Sequence, residues 1–208
     1  MVRFFQEGGF FMYPIAVILA IGLAIALERW FYLSTAKRSN RAAFDEGILP
    51  ILRKRDYKSA LKFSNESQTA IAAIMGAGLS RLVDGSRRDE VEFAMEEGLM
   101  ETLPRLEKRT PYLATLANVS TLLGLLGTII GLIAAFTAVA HADPAEKASL
   151  LSQSISVAMN TTAFGLMAAI PLLLFHAVLQ TKTNEIVDSF EMAGVKLLNL
   201  ISNQTSND

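Results

Sequence analysis

Three stretches of this chain contain no aspartate, glutamate, lysine or arginine: those between Glu7 and Glu28, between Arg109 and His141, and between Lys147 and Lys182. Charged residues make up 19% of the 208 positions, so their exclusion from these windows is segregation rather than scarcity. A bilayer core of about 30 Å takes about 20 apolar residues in a helix rising about 1.5 Å per residue. The runs from about Phe10 to Leu27, Tyr112 to Val139 and Leu150 to Leu179 meet that requirement. The second and third exceed it, which predicts tilt or extension beyond the lipid. The expected fold class is all-α: a polytopic membrane protein with three transmembrane helices and a cytoplasmic helical segment between the first and second.

The expected layout is an outer N-terminal segment at 1–9, spans at 10–30, 111–140 and 149–180, a cytoplasmic segment at 31–110, an outer loop at 141–148 and a cytoplasmic tail at 181–208. A cleaved signal peptide is the alternative for the first span. Against it, the leading residues carry only Arg3 alongside Glu7, and Glu28-Arg29-Trp30 closes the apolar run like a membrane interface. Orientation follows from the cations: 15 of the 19 Lys and Arg residues fall from Arg29 to Arg109, whereas the 141–148 loop holds only Lys147. Positive-inside bias therefore puts the long segment in the cytoplasm and the N-terminus outside.

Composition excludes several chemistries. The chain has no cysteine, hence no disulfide, thiolate nucleophile or Cys-ligated metal, and its two histidines do not make a His-rich site. No metal, cofactor or enzyme activity is expected. A net charge of -1 gives no basic surface for nucleic acid.

Between the first two spans, Asp56 is placed to cap a helix running through Asn65, and Gly85-Ser86 to make a turn. After it, Val91, Met95, Leu99, Leu103 and Leu106 recur at spacings of 3 and 4, the signature of one apolar helix face, with a break or kink expected near Pro111.

Inside the membrane windows the informative residues are the small and polar ones. Gly127 and Gly131 form a GxxxG pair, preceded by Gly124 and extended by Ala135; Ala158, Thr162, Gly165 and Ala169 make a similar face on the third span. Two such faces let backbones approach closely. Ser149, Ser152, Gln153, Ser156 and Asn160 fall within about 100° of one another at about 100° per residue, while Thr161 and Thr162 lie on other faces. Polar groups in hydrocarbon need partners or water, and three spans offer few, so an oligomer or a hydrated axis is implied. The alternative for each hydroxyl is a local bond to the carbonyl four residues back. Thr128 and Thr162 both sit about 20 Å below the outer loop by helical rise, at one depth on adjacent helices. Pro111 and Pro171 lie at the cytoplasmic ends of the second and third spans, either freeing a backbone carbonyl or simply tolerated; His176 reads as an interface hydrogen-bonder or a titrating group.

Leu123-Gly124-Leu125-Leu126-Gly127-Thr128-Ile129-Ile130-Gly131 resembles the second-helix signature of the ExbB/TolQ/MotA proton-channel family, and Thr162 through Pro171 resembles its third-helix signature. The resemblance is clearest from Leu103 to Leu179. It implies a homo-oligomeric ring, a pentamer in that family, in the bacterial inner membrane. The ring would surround a dimeric, single-span partner of the ExbD/TolR kind that supplies a transmembrane aspartate. It further implies that Thr128 and Thr162 line the ring interior near that aspartate, with Thr161, Asn160 and Ser156 supporting the polar belt and Gly124, Gly127, Gly131, Gly165 and Pro171 packing the helices. One position departs from the ExbB/TolQ pattern: the glutamate five residues before the second threonine is Val157 here. MotA-type members lack that glutamate too, but have four spans and a longer chain. The resulting expectation is a ring subunit of a proton-driven motor that transmits energy to the envelope. The alternatives are a non-conducting membrane scaffold and a solute-channel subunit, the latter predicting an internal repeat that is not visible in the sequence.

Overall fold

The structure is a computed structural model that describes residues 9–205. The expected outer segment 1–9 therefore lies, Gly9 excepted, outside the described residues, as do the last three residues of the tail. Among the described residues the fold is 90% helical and contains no strand. The helices are α1 (Met12–Ala42), continued by a π-helical turn (Ala43–Ile48), α2 (Leu49–Arg53), α3 (Tyr57–Glu66), α4 (Ala70–Val83), α5 (Arg88–Glu107), α6 (Thr110–His141) and α7 (Lys147–Thr205). Three helical stretches, Met12–Arg53, Arg88–His141 and Lys147–Ser202, are long and apolar enough to cross a membrane, with best-window mean hydropathies of 1.8, 2.3 and 2.0. The chain is an all-α polytopic membrane protein.

The helices do not stop where the apolar runs stop. Glu28-Arg29-Trp30 ends the first apolar run, yet α1 continues to Ala42 because residues 31–42 contain neither glycine nor proline. Lipid sets which residues are apolar; hydrogen bonding and backbone sterics set where a helix ends. In the same way α7 passes Gln180 without a break and runs 59 residues, with Pro171 inside it.

The contacts divide the chain into two compact units. One comprises residues 1–29 and 109–179, the other residues 30–108 and 180–208. In the first, Met12, Ile15 and Ala26 of α1, Leu113 and Ala117 of α6 and Ala168 and Leu172 of α7 are buried, while Leu122, Ile133, Phe136, Met159 and Leu174 are exposed. An apolar exterior of this kind belongs in lipid or against another subunit. Arg109, at the α5–α6 junction, adopts a left-handed φ of 68° and its guanidinium donates to Glu28 Oε2 at 2.6 Å. Pro111 follows in the first turn of α6, where its missing N–H is no loss.

In the second unit α4 and α5 form an antiparallel pair around the Gly85 turn, where φ is +81°. Val91, Met95 and Leu106 of the apolar stripe are buried, and Leu99 and Leu103 half-buried. Gly78 makes room for Met95: a Cβ there would lie 2.5 Å from Met95 Cγ. Asp56 caps α3, accepting from the Ser59 N–H at 3.0 Å. Hydrogen bonds from the Ser59 side chain and backbone hold the Asp56 carboxyl below its usual range, so this cap is present at neutral pH and lost as pH falls through that lowered value. A less local cap serves α4. Thr69 at its N-cap spends its hydroxyl on Ser67 Oγ at 3.0 Å and makes no capping bond, and the Ile71 N–H is instead taken by Oδ1 of buried Asn40, 31 residues earlier, at 2.8 Å.

Removing a buried capping acceptor leaves an N–H without a partner, at a cost of about 1 to 2 kcal/mol. Asn40→Ala is expected to lower the denaturation midpoint of the detergent-solubilised protein accordingly, and more so because the Nδ2 bond to the Ala36 carbonyl at 2.8 Å is lost with it. Equal midpoints for wild type and Asn40→Ala would remove this role.

Candidate functional site

The site forms where α6 and α7 cross, within the first unit, and it begins with two glycines. A Cβ on Gly165 would sit 2.7 Å from the Ser120 carbonyl oxygen and 3.0 Å from Gly124 Cα; one on Gly124 would sit 3.2 Å from Gly165 Cα. Two backbones this close leave no volume for a side chain on either residue. The contact continues along both helices. A Cβ on Gly127 would fall 2.5 Å from the Thr161 methyl, and one on Gly131 3.0 Å from the Ala158 Cβ. Gly124, Gly127 and Gly131 thus face Ala158, Thr161, Thr162 and Gly165 along a single seam, and Ala135, one turn further, is buried.

That approach brings Thr128 and Thr162 together. Their hydroxyls are hydrogen-bonded to each other. Thr162 Oγ1 also donates to the Gly124 carbonyl at 2.9 Å, and Thr128 Oγ1 reaches the same carbonyl at 3.2 Å and that of Ala158 at 3.4 Å. A hydroxyl has one proton and two lone pairs. Apart from each other, the pair's partners are all carbonyl oxygens, so both protons are spent inside the protein. What the pair retains is acceptor capacity: lone pairs that a water or a neutral acid can donate to. Both threonines are half-buried.

The remaining polar candidates do not converge on this pair. Thr161 is buried, and its hydroxyl bonds back to the Val157 carbonyl at 3.0 Å, the local alternative for a hydroxyl in a helix. Ser156 is exposed and Asn160 half-buried; with the exposed Ser149, Ser152 and Gln153 they form a polar stripe on another side of α7. Val157 is half-buried, its Cγ1 3.4 Å from where a Gly9 Cβ would be. Pro171 lies within α7, one residue before Leu172, whose side chain fills the space above Gly22 of α1. His176 is half-buried. No group of three or more potential metal-ligating side chains occurs among the described residues.

Sequence reasoning missed Ser120. It is fully buried, its carbonyl abuts Gly165, and its hydroxyl meets no hydrogen-bond partner among the described residues. Its signal was present, since Ser120, Gly124, Gly127 and Gly131 follow one another at spacings of 4, 3 and 4 and so continue the seam by one turn.

Comparison with known proteins identifies the same region. The model of the MotA/TolQ/ExbB proton channel family matches residues 66–192. An ExbB homolog, named for biopolymer transport, from Methanothermobacter thermautotrophicus is 29% identical over 192 residues, covering 92% of this chain and 67% of its own. The ExbB-like 3 biopolymer transport protein of Synechocystis is 30% identical over 178 residues, covering 85% and 83%. The Tol-Pal system protein TolQ of Haemophilus influenzae is 36% identical over 97 residues, 47% of this chain and 42% of its own.

The glycine seam generates a sharp contrast within one helix. Gly165→Ala must push two backbones apart and is expected to destabilise by about 1 to 3 kcal/mol. Gly194→Ala, where the nearest atom to the new Cβ lies 3.7 Å away, is expected to be neutral or stabilising. Denaturation midpoints of the two variants in one detergent check this; equal tolerance would contradict the seam.

Proposed function

The chain belongs to the MotA/TolQ/ExbB proton channel family, and from that premise we propose that it is the ring-forming subunit of a proton-motive-force-driven motor of the bacterial inner membrane. Copies of the chain surround a dimeric, single-span ExbD/TolR-like partner whose transmembrane aspartate carries the proton. The observation that carries this reading is the Thr128–Thr162 pair, held between two spans inside the matched region with its protons turned inward.

Such a pair discriminates between the two forms of an acid. A protonated carboxyl has an O–H to give and finds lone pairs waiting; a carboxylate is acceptor-only and gains a hydrogen bond only if a threonine abandons its carbonyl. The pair therefore favours the neutral partner acid at its level, which lowers the cost of moving that group through a low-dielectric region. Release of the proton on the far side and reprotonation from the near side make the relative movement of ring and partner directional. Val157 has no carboxylate to contribute, so the carrier belongs to the partner. The polar stripe from exposed Ser156 to half-buried Asn160 faces water or a neighbouring subunit, and Thr161 supports the pair by packing its methyl on Gly127.

The cation bias orients the chain. The unit holding residues 30–108 and 180–208 is cytoplasmic, and the N-terminus and the 141–148 loop are outside. Val157 also supports a second reading, a non-conducting scaffold that assembles envelope machinery.

Both readings meet the same experiment. Co-reconstituted with its partner in liposomes under an imposed gradient, the wild type is expected to conduct protons, and Thr162→Val to lower the flux about tenfold, the loss of one buried hydrogen bond to the neutral acid. Unchanged flux in Thr162→Val would remove the threonine from the path, and absence of flux in the wild type would favour the scaffold.

A further inference from the structure

Beyond Gln180, α7 carries two flanks of opposite charge. On one, Glu191 faces Glu92 and Glu96 of α5 across a groove floored by Met95, Phe190 and Leu198. On the other, Lys196 lies beside Arg53 of α2 in a groove with Leu49 and Leu200. Glu191 and Lys196 are five residues apart, about 140° around a helix at about 100° per residue, so the grooves open to different sides of the same unit. All five charged side chains belong to exposed residues, and none of the ion pairs among the described residues involves them. Apolar surface lies beside the acidic groove and between the flanks: Phe93 is 69%, Met192 57% and Val195 51% exposed.

Glu92 and Glu96 stand one helical turn apart, a like-charge spacing that disfavours a helix unless a cation relieves it. The second flank presents such cations on every copy of the chain. Contact of either flank with itself across a two-fold axis would set acid on acid or base on base. Only a head-to-tail contact joins unlike flanks, and repetition of a head-to-tail contact closes into a ring when the rotation permits.

We propose that the acidic groove of Glu92, Glu96 and Glu191 on one copy receives Arg53 and Lys196 of the next, making this pair of flanks the subunit interface of the cytoplasmic unit. The inference rests on the ring reading above and adds to it the surfaces that meet. Charge complementarity sets which flanks pair and in what register, and the apolar residues beside them supply the desolvated area.

The absence of cysteine from the chain makes the test clean. Arg53→Cys and Glu96→Cys, combined in one full-length chain and oxidised in native membranes, are expected to give a ladder of covalent dimers, trimers and higher species. Each single-cysteine variant is expected to stay monomeric on the gel. Glu92→Lys with Glu191→Lys in the two-cysteine background should cut ladder yield at least about tenfold through like-charge contact. Adding Lys196→Glu should restore it.

Native mass spectrometry on the same samples separates the two levels of the reading. Multimers without a ladder overturn this interface and leave the ring standing, whereas monomers alone overturn both. A ladder insensitive to charge reversal, covalent dimers from one single-cysteine variant, or adducts of the Glu96→Cys chain with another protein each overturn the head-to-tail pairing.

Discussion

The contact between Gly124 and Gly165 is the constraint on which the membrane unit depends. Lipid tails are as apolar as leucine, so burial of apolar area gives two spans no net reason to prefer each other. What remains is close packing and hydrogen bonding, and both require the backbones to approach further than any side chain permits. Glycine at these two positions satisfies that requirement, and the flanking Ser120, Gly127, Gly131 and Ala158 extend it along the seam.

The polar chemistry follows from that approach. Thr162 reaches the Gly124 carbonyl only because no side chain stands between the helices, and Thr128, one turn along α6, then meets Thr162. One hydroxyl proton is spent on the other hydroxyl and the second on a backbone carbonyl, which leaves a patch of acceptors in a setting otherwise composed of hydrocarbon. A carbonyl that accepts from several donors polarises them, and the network becomes one unit rather than separate hydroxyls. In the proposed motor that unit stabilises a neutral acid without itself carrying charge, so the chain shapes a proton path while the carrier is supplied by its partner.

How much of this could be read from residues alone depended on whether the governing interaction was local. The spans were legible because lipid excludes charge over whole windows. The Asp56 cap and the Gly85 turn were legible because partner and target lie within three residues. The glycine seam was visible as spacing, and equal depth placed Thr128 and Thr162 on one level. The helical angle already set Ser156 and Asn160 on another face from Thr162, but rotation of each helix about its axis, which turns Thr162 toward α6, was not visible, because only packing decides it. The continuation of α1 and α7 past the apolar runs was also hidden, since hydropathy marks lipid and not hydrogen bonding. Asn40 capping α4 escaped for a simpler reason: its partner lies 31 residues away.

The central claim is that Thr128 and Thr162 act as a single acceptor unit. Proton flux through the reconstituted complex, compared for wild type, Thr128→Val, Thr162→Val and the double variant, tests it most directly, because residues that function as one unit lose their effect together. The account predicts that the double variant conducts no worse than the more impaired single variant. Losses that multiply between the two sites would show two independent hydroxyls and contradict it.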